Sequence, residues 1–410
     1  MAEHSTRVVV IGAGYAGLLA AVRLAGKTRR QNVVITLVNA TDVFVERLRL
    51  HQLAANQSIE QRPIASALRG TGVNFAQGLV SSIDTARREV VAQTGADARR
   101  IGYDHLIYAL GSTIDRDTVP GVRAHAYTLT PSGPLSAVAL RAALPAVNDV
   151  GGQVVICGAG ATGIEAAAEF ADAYPNLRVR LITRGAFGMF LGPQVADYMR
   201  RSLVRRGVLI QDHTTITEVR GDEVRTQAGN AIPFDLCLWA GGFAVPALAR
   251  AAGLAVNERG QVLIDPFMRS LSHPEIYAIG DSAHPLEAPG VPVRMAAFTA
   301  TVMGAHGADC LSAHLQGRTP KPFSFAYVGQ GIALGRHDAI GFNNYPDDKP
   351  NAPYFTGRLG FEIREFFVRF LAATASLERR WPGFFFWVGK GRYAASQRRH
   401  RQTAQVEPSL

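Results

Sequence analysis

Two glycine-rich turns of one design, 146 positions apart, constrain this chain more than any other feature. The first, Gly12-Ala13-Gly14-Tyr15-Ala16-Gly17, follows the β-branched run Arg7-Val8-Val9-Val10-Ile11 and leads into the helix-like stretch LLAAVRLA. A second strand-like run, Val33-Val34-Ile35-Thr36-Leu37-Val38, comes next. The pattern then recurs: Val154-Val155-Ile156-Cys157, Gly158-Ala159-Gly160-Ala161-Thr162-Gly163, the stretch IEAAAEFADAY, and Arg178-Val179-Arg180-Leu181-Ile182-Thr183. Strand, glycine turn, helix and strand in that order give a GxGxxG match its specificity. Gly12 and Gly158 allow the tight turn, Gly14 and Gly160 admit a pyrophosphate to the backbone, and Gly17 and Gly163 let helix and strand pack closely. Free N–H groups at each helix start favour that negative charge. Two copies imply two dinucleotide-binding domains.

The rest of the chain fits around them. Residues 75–112 alternate and turn, which predicts a small antiparallel excursion ending in the apolar strand YDHLIYALGS. Residues 207–219 and 223–239 predict strand pairs ending in DLCLWAGG, and VLID with HPEIYAIGD returns the chain to the first sheet. The expected fold class is α/β: two doubly wound Rossmann-like domains, the second inserted in the first, with a C-terminal appendage. The expected boundaries are 1–117 and 266–320 for the first domain, 118–265 for the second and 321–410 for the appendage.

Composition excludes several other classes. At 410 residues, 47% hydrophobic and 19% charged, the chain has the balance of a globular enzyme. Cys157, Cys237 and Cys310 are too scattered for a disulfide framework or a zinc site, and none of the three is expected at a metal. The net charge of +10 is concentrated at one end: residues 357–401 hold ten Lys/Arg against three Asp/Glu. A basic tail favours an acidic surface as its partner and argues against a nucleic-acid-binding protein. The N-terminus lacks a basic-then-apolar leader, and no apolar run approaches the roughly 18–20 residues of a spanning helix. The expected location is cytoplasmic.

Both glycine motifs, YDHLIYALGS, DLCLWAGG and EIYAIGDSA together resemble the two-dinucleotide-binding-domain flavoproteins of the pyridine nucleotide-disulfide reductase superfamily. Within that group the chain looks most like the type II NADH dehydrogenases, over roughly residues 7–345. The resemblance implies FAD on the first motif, with Asp281 bonding the ribityl–phosphate region and Gly280 beside it. It also implies that Val80 offers backbone to the adenine, that Gly111 lies near the dinucleotide, and that the helix start at Ala296 stabilises negative charge on the flavin. On the second motif it implies a nicotinamide nucleotide, with Gly241 nearby and Glu165 as an acid at the nicotinamide end. An ordinary first-turn acid favoured by the helix dipole is the competing account of Glu165.

Departures from the family pattern are informative. The ribose-binding acid expected about 20 residues past the third glycine is Asn39 in the first copy and Thr183 in the second. Arg184 follows Thr183; without the carboxylate, a guanidinium there suits a 2′-phosphate, so NADPH is expected at least as readily as NADH. No CxxxxC follows the first glycine helix, so no redox disulfide is expected and electrons pass directly from flavin to an acceptor. The glutamines that type II dehydrogenases place beside the flavin for a quinone are replaced by Phe298 and Val302. A soluble reductase acting on a small molecule or a carrier protein is therefore the alternative to a quinone-type dehydrogenase. Arg47 and His51, four residues apart, are candidate cations on one helical face near the isoalloxazine.

Residues 357–393 differ in character. Leu359, Phe361, Ile363, Phe366, Phe367, Phe370, Leu371 and Leu377 recur at near-helical spacing, with Arg358, Glu362, Arg364, Glu365, Arg369, Glu378 and Arg379 between them. Pro382 is expected to end the helix before the aromatic run Phe384-Phe385-Phe386-Trp387. Such a segment suits peripheral contact with the cytoplasmic membrane face, or packing on the enzyme or across a homodimer. Residues 396–410 are expected to be disordered.

Overall fold

The computed structural model describes residues 5–286, 293–345 and 348–390; the tail 396–410 lies outside them. β1 (Thr6–Ile11) runs into α1 (Tyr15–Lys27) and β2 (Val33–Asn39), pairing with β2 in parallel from Thr6↔Val33 to Ile11↔Val38. After the short helix α2 (Leu50–Ala54) come β3 (Asn74–Gln77), a three-stranded antiparallel excursion over residues 79–102, and β4 (His105–Tyr108). Val8 to Ile11 are at most 1% exposed, because helices cover both faces of a parallel sheet.

The chain leaves this unit through β5 (Thr113–Ile114) and builds a second parallel sheet. Its parts are β6 (Gln153–Cys157), α3 (Ala161–Ala173), β7 (Arg178–Ile182), β8 (Leu209–Gln211) and β9 (Leu236–Trp239), in the order β8-β7-β6-β9. It returns through β10 (Phe243–Ala244), which pairs antiparallel with β5, so the outward and return crossings lie side by side. The sequence expectation kept residues up to 265 in the second domain. In the structure Ala249, Leu254, Val262 and Ile264 already pack into the first core, since the strand Val262–Ile264 pairs with Ala283–Pro285. β11 (Ile276–Ala278) then completes the first sheet in the order β11-β4-β1-β2-β3.

α4 (Ala297–Leu315) packs on α1 almost backbone to backbone: a Cβ on Gly304 would lie 2.4 Å from the Ala16 carbonyl oxygen. Every α1 residue from Tyr15 to Ala25 is buried, including Arg23, whose charge is paired with Asp309 and Glu378. The third layer is the antiparallel sheet β12 (Gly329–Ala333), β13 (Ala339–Asn344) and β14 (Pro350–Phe355), covered by α5 (Gly357–Arg380).

α5 inverts the usual arrangement of a surface helix, apolar side inward and charges outward. In the structure Arg364, Glu365 and Glu378 are at most 5% exposed, while Leu359, Phe366 and Phe367 are 61%, 64% and 50% exposed. The inversion is possible because each buried charge is paired. Arg364 meets Glu165 and Glu365, Arg49 meets Glu365, and Glu378 meets Arg23 of α1. Unpaired, such charges would not stay in a protein interior.

Candidate cofactor and active site

The two glycine turns have nearly the same geometry. Gly12 and Gly158 have φ of +94° and +113°, a region that favours glycine. A Cβ on Gly17 would lie 1.9 Å from the Gly12 carbonyl oxygen, and one on Gly163 would lie 1.9 Å from that of Gly158. Gly14 and Gly160 have open space where a Cβ would project, the side from which a pyrophosphate approaches. Gly111, at φ +68°, is equally open, whereas Gly280 is held against Ala16 and Ala300.

The first turn sits where the strand order reverses beside β1, the usual ligand position in such sheets. A cleft of about 220 Å³ opens there, lined by Gly12, Val38, Asn39, Gly78, Val80 and Leu248 among others. Asn39 accepts from the Ala13 N–H at 2.9 Å and donates to the Thr41 carbonyl at 2.8 Å, so its amide braces the glycine loop. Beside the first turn of α1, where Gly280 packs on Ala16, Asp281 accepts from the Ser112 hydroxyl at 2.6 Å, while its Oδ1 is buried with no partner among the described residues. Burial pushes the Asp281 carboxyl pKa up, opposed by the Ser112 hydrogen bond and the Arg47 charge. An orphaned carboxylate oxygen facing a glycine cradle fits the ribityl hydroxyls of FAD. Ala296, which caps α4, lies beside the same carboxylate.

Arg47 and His51 are divided by the structure. Arg47 lies in a 3₁₀ turn and donates to the Ser112 carbonyl at 2.9 Å, enclosed by protein yet accessible, as a group lining a cleft is. His51 lies in α2, is 2% exposed and faces Glu165, with Nδ1 3.9 Å from Oε2. The two do not share a helical face, and burial lowers the His51 pKa to about 4, so it is neutral at pH 7. The expectation of a second cation is corrected by that burial. Glu165, on α3, accepts from the Ala333 N–H at 3.1 Å and from Arg364 at 2.9 Å. Ser112, Arg49 and Arg364 complete the cluster; the sequence had not marked them as site residues. Ser112 adjoins the marked Gly111, but nothing local announces Arg364, 199 positions from its partner.

His306, in α4, is likewise held near a pKa of 4 by burial. Free histidine titrates near 6.5, so as pH falls the unfolded chain binds these protons first. Stability is full above about pH 6.5 and is lost towards pH 4, by about 3 kcal/mol per histidine at the limit. Asp309, whose carboxyl is held low by Arg23 and Lys390 against its burial, adds loss of the same sign at lower pH. Denaturant titrations between pH 7 and 4.5 should show this slope, and His306→Asn should flatten it. An unchanged slope would contradict the burial of a neutral ring.

At the second turn, Thr183 is fixed by backbone hydrogen bonds to Gln211 and Thr214. Arg184 is exposed and has no hydrogen bond or ion pair among the described residues. Gly241 lies over Trp239, and the Gly158 turn is pressed against Ala240 and Gly241. All three cysteines are buried and unbridged.

Two glycine cradles, a buried carboxylate at one and a polar cluster between them define a flavoprotein oxidoreductase that works with a nicotinamide nucleotide. The chain belongs to the pyridine nucleotide-disulphide oxidoreductase family, whose model matches residues 6–307. It is 27% identical over 357 residues to the demethylphylloquinone reductase NdbB of Synechocystis, covering 83% of this chain and 87% of that one. It is also 27% identical over 375 residues to a type II NADH:quinone oxidoreductase of Staphylococcus epidermidis, covering 83% and 90%. Its fold matches NDH2 from Plasmodium falciparum, solved in complex with NADH, with a TM-score of 0.76 at 15% identity over 93% of this chain and 99% of that one.

Proposed function

We propose that this chain oxidises NADH or NADPH and passes the electrons through FAD to a quinone-like acceptor while resting on a membrane surface. Bound FAD supplies the redox chemistry, taking a hydride from the nicotinamide and giving electrons to the acceptor. The protein's residues hold and polarise. The Gly12–Gly17 turn and Asp281 anchor one dinucleotide, and the Gly158–Gly163 turn anchors the other. Arg47 places positive charge beside Asp281, and Glu165 lies near the start of the second helix.

The observation that carries the membrane reading is the outward face of the C-terminal region. Phe366, Phe367, Trp381, Phe384, Phe386 and Val388 are 42–70% exposed, and Arg380 lies over the Trp381 ring. Aromatic rings beside cations suit the headgroup layer. Among the described residues no helix is long and apolar enough to cross a membrane, so contact would be peripheral. Each inserted phenylalanine contributes up to about 1.5–3 kcal/mol of burial. The triple variant Phe366→Ser, Phe367→Ser, Phe386→Ser should lose about 100-fold in partition to anionic vesicles and keep its flavin. Full-length protein that ignores such vesicles and elutes as a dimer would assign this face to self-association instead.

One observation favours a second reading, a soluble reductase for a small molecule or carrier protein. Val302 is fully buried and Phe298 packs against the first core, so neither offers an acceptor the hydrogen bond a glutamine would. Steady-state turnover with a short-chain quinone separates the two: the quinone reading requires it to be rapid, and its absence favours the carrier.

A further inference from the structure

α5 reaches Glu165 past β12, an edge strand of the third sheet. Arg364, 4% exposed, donates from Nη2 to Glu165 Oε1 at 2.9 Å and to the Leu48 carbonyl at 3.3 Å, and from Nη1 to Glu365 Oε1 at 2.7 Å. The side chain packs into a notch that Gly331 leaves on β12. A Cβ there would lie 2.9 Å from Arg364 Cγ and 3.0 Å from its Cβ. β12 adds a second donor to the same oxygen, the Ala333 N–H at 3.1 Å.

Three segments far apart in the chain therefore meet on one atom, Glu165 Oε1. The other oxygen accepts no hydrogen bond among the described residues, and His51 Nδ1 lies 3.9 Å from it. The carboxylate is clamped on one side and open on the other. A planar fork held between two carboxylates and a carbonyl fixes direction as well as charge, which a flexible ammonium would not.

We propose that Arg364 is a positioning residue for Glu165, so that the nicotinamide half-site is completed by the C-terminal helix. The proposal rests on the reading of Glu165 as the acid at the nicotinamide end. It makes α5 a part of the hydride-accepting machinery as well as a surface element: the helix that presents Phe366 and Phe367 outward also orients Glu165 inward.

The test is a double-mutant cycle on the anaerobic holoenzyme, read as the limiting rate at which NADH bleaches the flavin and the NADH concentration at half that rate. Arg364→Met should lower the limiting rate on the order of tenfold with little change in half-saturation, the signature of lost orientation rather than lost binding. Gly331→Ala should push the same way by closing the notch while keeping every charge, so the result survives if Arg364→Met folds poorly. In a Glu165→Gln background neither change should slow bleaching further. Equal slowing in both backgrounds, or no slowing by either variant, overturns the proposal while leaving the Glu165 reading intact. If Glu165→Gln alone leaves bleaching unchanged, that reading falls and the proposal with it.

Discussion

Gly17→Ala should produce a folded chain that cannot keep its flavin, and Gly163→Ala one that keeps it but is barely bleached by NADH. Both substitutions place a methyl 1.9 Å from a backbone carbonyl, that of Gly12 or of Gly158. Neither carbonyl can retreat, because each belongs to a turn pinned to its sheet: the Gly12 N–H donates to Val38 and the Gly158 N–H to Ile182. The helix must move away instead, carrying its N-terminal N–H groups from the pyrophosphate. Overpacking of this kind costs roughly 1–3 kcal/mol, so each dinucleotide should bind about 10- to 100-fold more weakly. Flavin content after gel filtration and an NADH titration read the two outcomes. The reverse pattern, flavin lost from Gly163→Ala and kept by Gly17→Ala, would exchange the roles of the two domains.

Glu378→Ala should be the most damaging single change away from the cofactors. Glu378 Oε1 accepts from the Arg23 guanidinium at 2.9 Å and the Gly383 N–H at 2.7 Å, and Oε2 accepts from the Phe385 N–H at 2.9 Å. Arg23 is 2% exposed and also holds Asp309, so one buried network ties α1, α4, α5 and the Phe384–Trp387 segment together. Removing one partner leaves a guanidinium with reduced compensation in the interior, which costs roughly 3–5 kcal/mol. A fall of that size in the stability of the holoenzyme, seen in a denaturant titration, is the expected result. A change under about 1 kcal/mol would place the network on the surface. The same network makes deletion of residues 357–410 a poor test of membrane binding, because it would uncover Arg23. Substitutions on the outward aromatics avoid that.

The glycine turns were legible because their constraint is local: three positions fix a turn, an approach and a packing distance. The inserted second sheet followed from the recurrence of that pattern. The return boundary was misplaced because strand Val262–Ile264 reads alike whichever sheet it joins, and only its pairing with Ala283–Pro285 decides. α5 was legible as a helix but not in its orientation. Periodicity reports where apolar residues fall, and it does not know that Arg23, Arg49 and Glu165 wait inside to pair with the helix's charges. His51 shows the same limit. Its spacing from Arg47 suggested a shared cationic face, but a 3₁₀ turn rotates the two apart, and burial against α3 keeps the imidazole neutral.

The central claim, that a nicotinamide nucleotide feeds FAD and FAD feeds a quinone-like acceptor without a cysteine relay, is tested most directly by anaerobic double-mixing stopped flow. The holoenzyme is first mixed with one equivalent of NADH or NADPH, and the bleached flavin is then mixed with a short-chain quinone. The account predicts fast bleaching by at least one nucleotide, fast recovery of flavin colour with quinone, and both phases unchanged after thiol alkylation. Bleaching without recovery, or recovery abolished by alkylation, would contradict it.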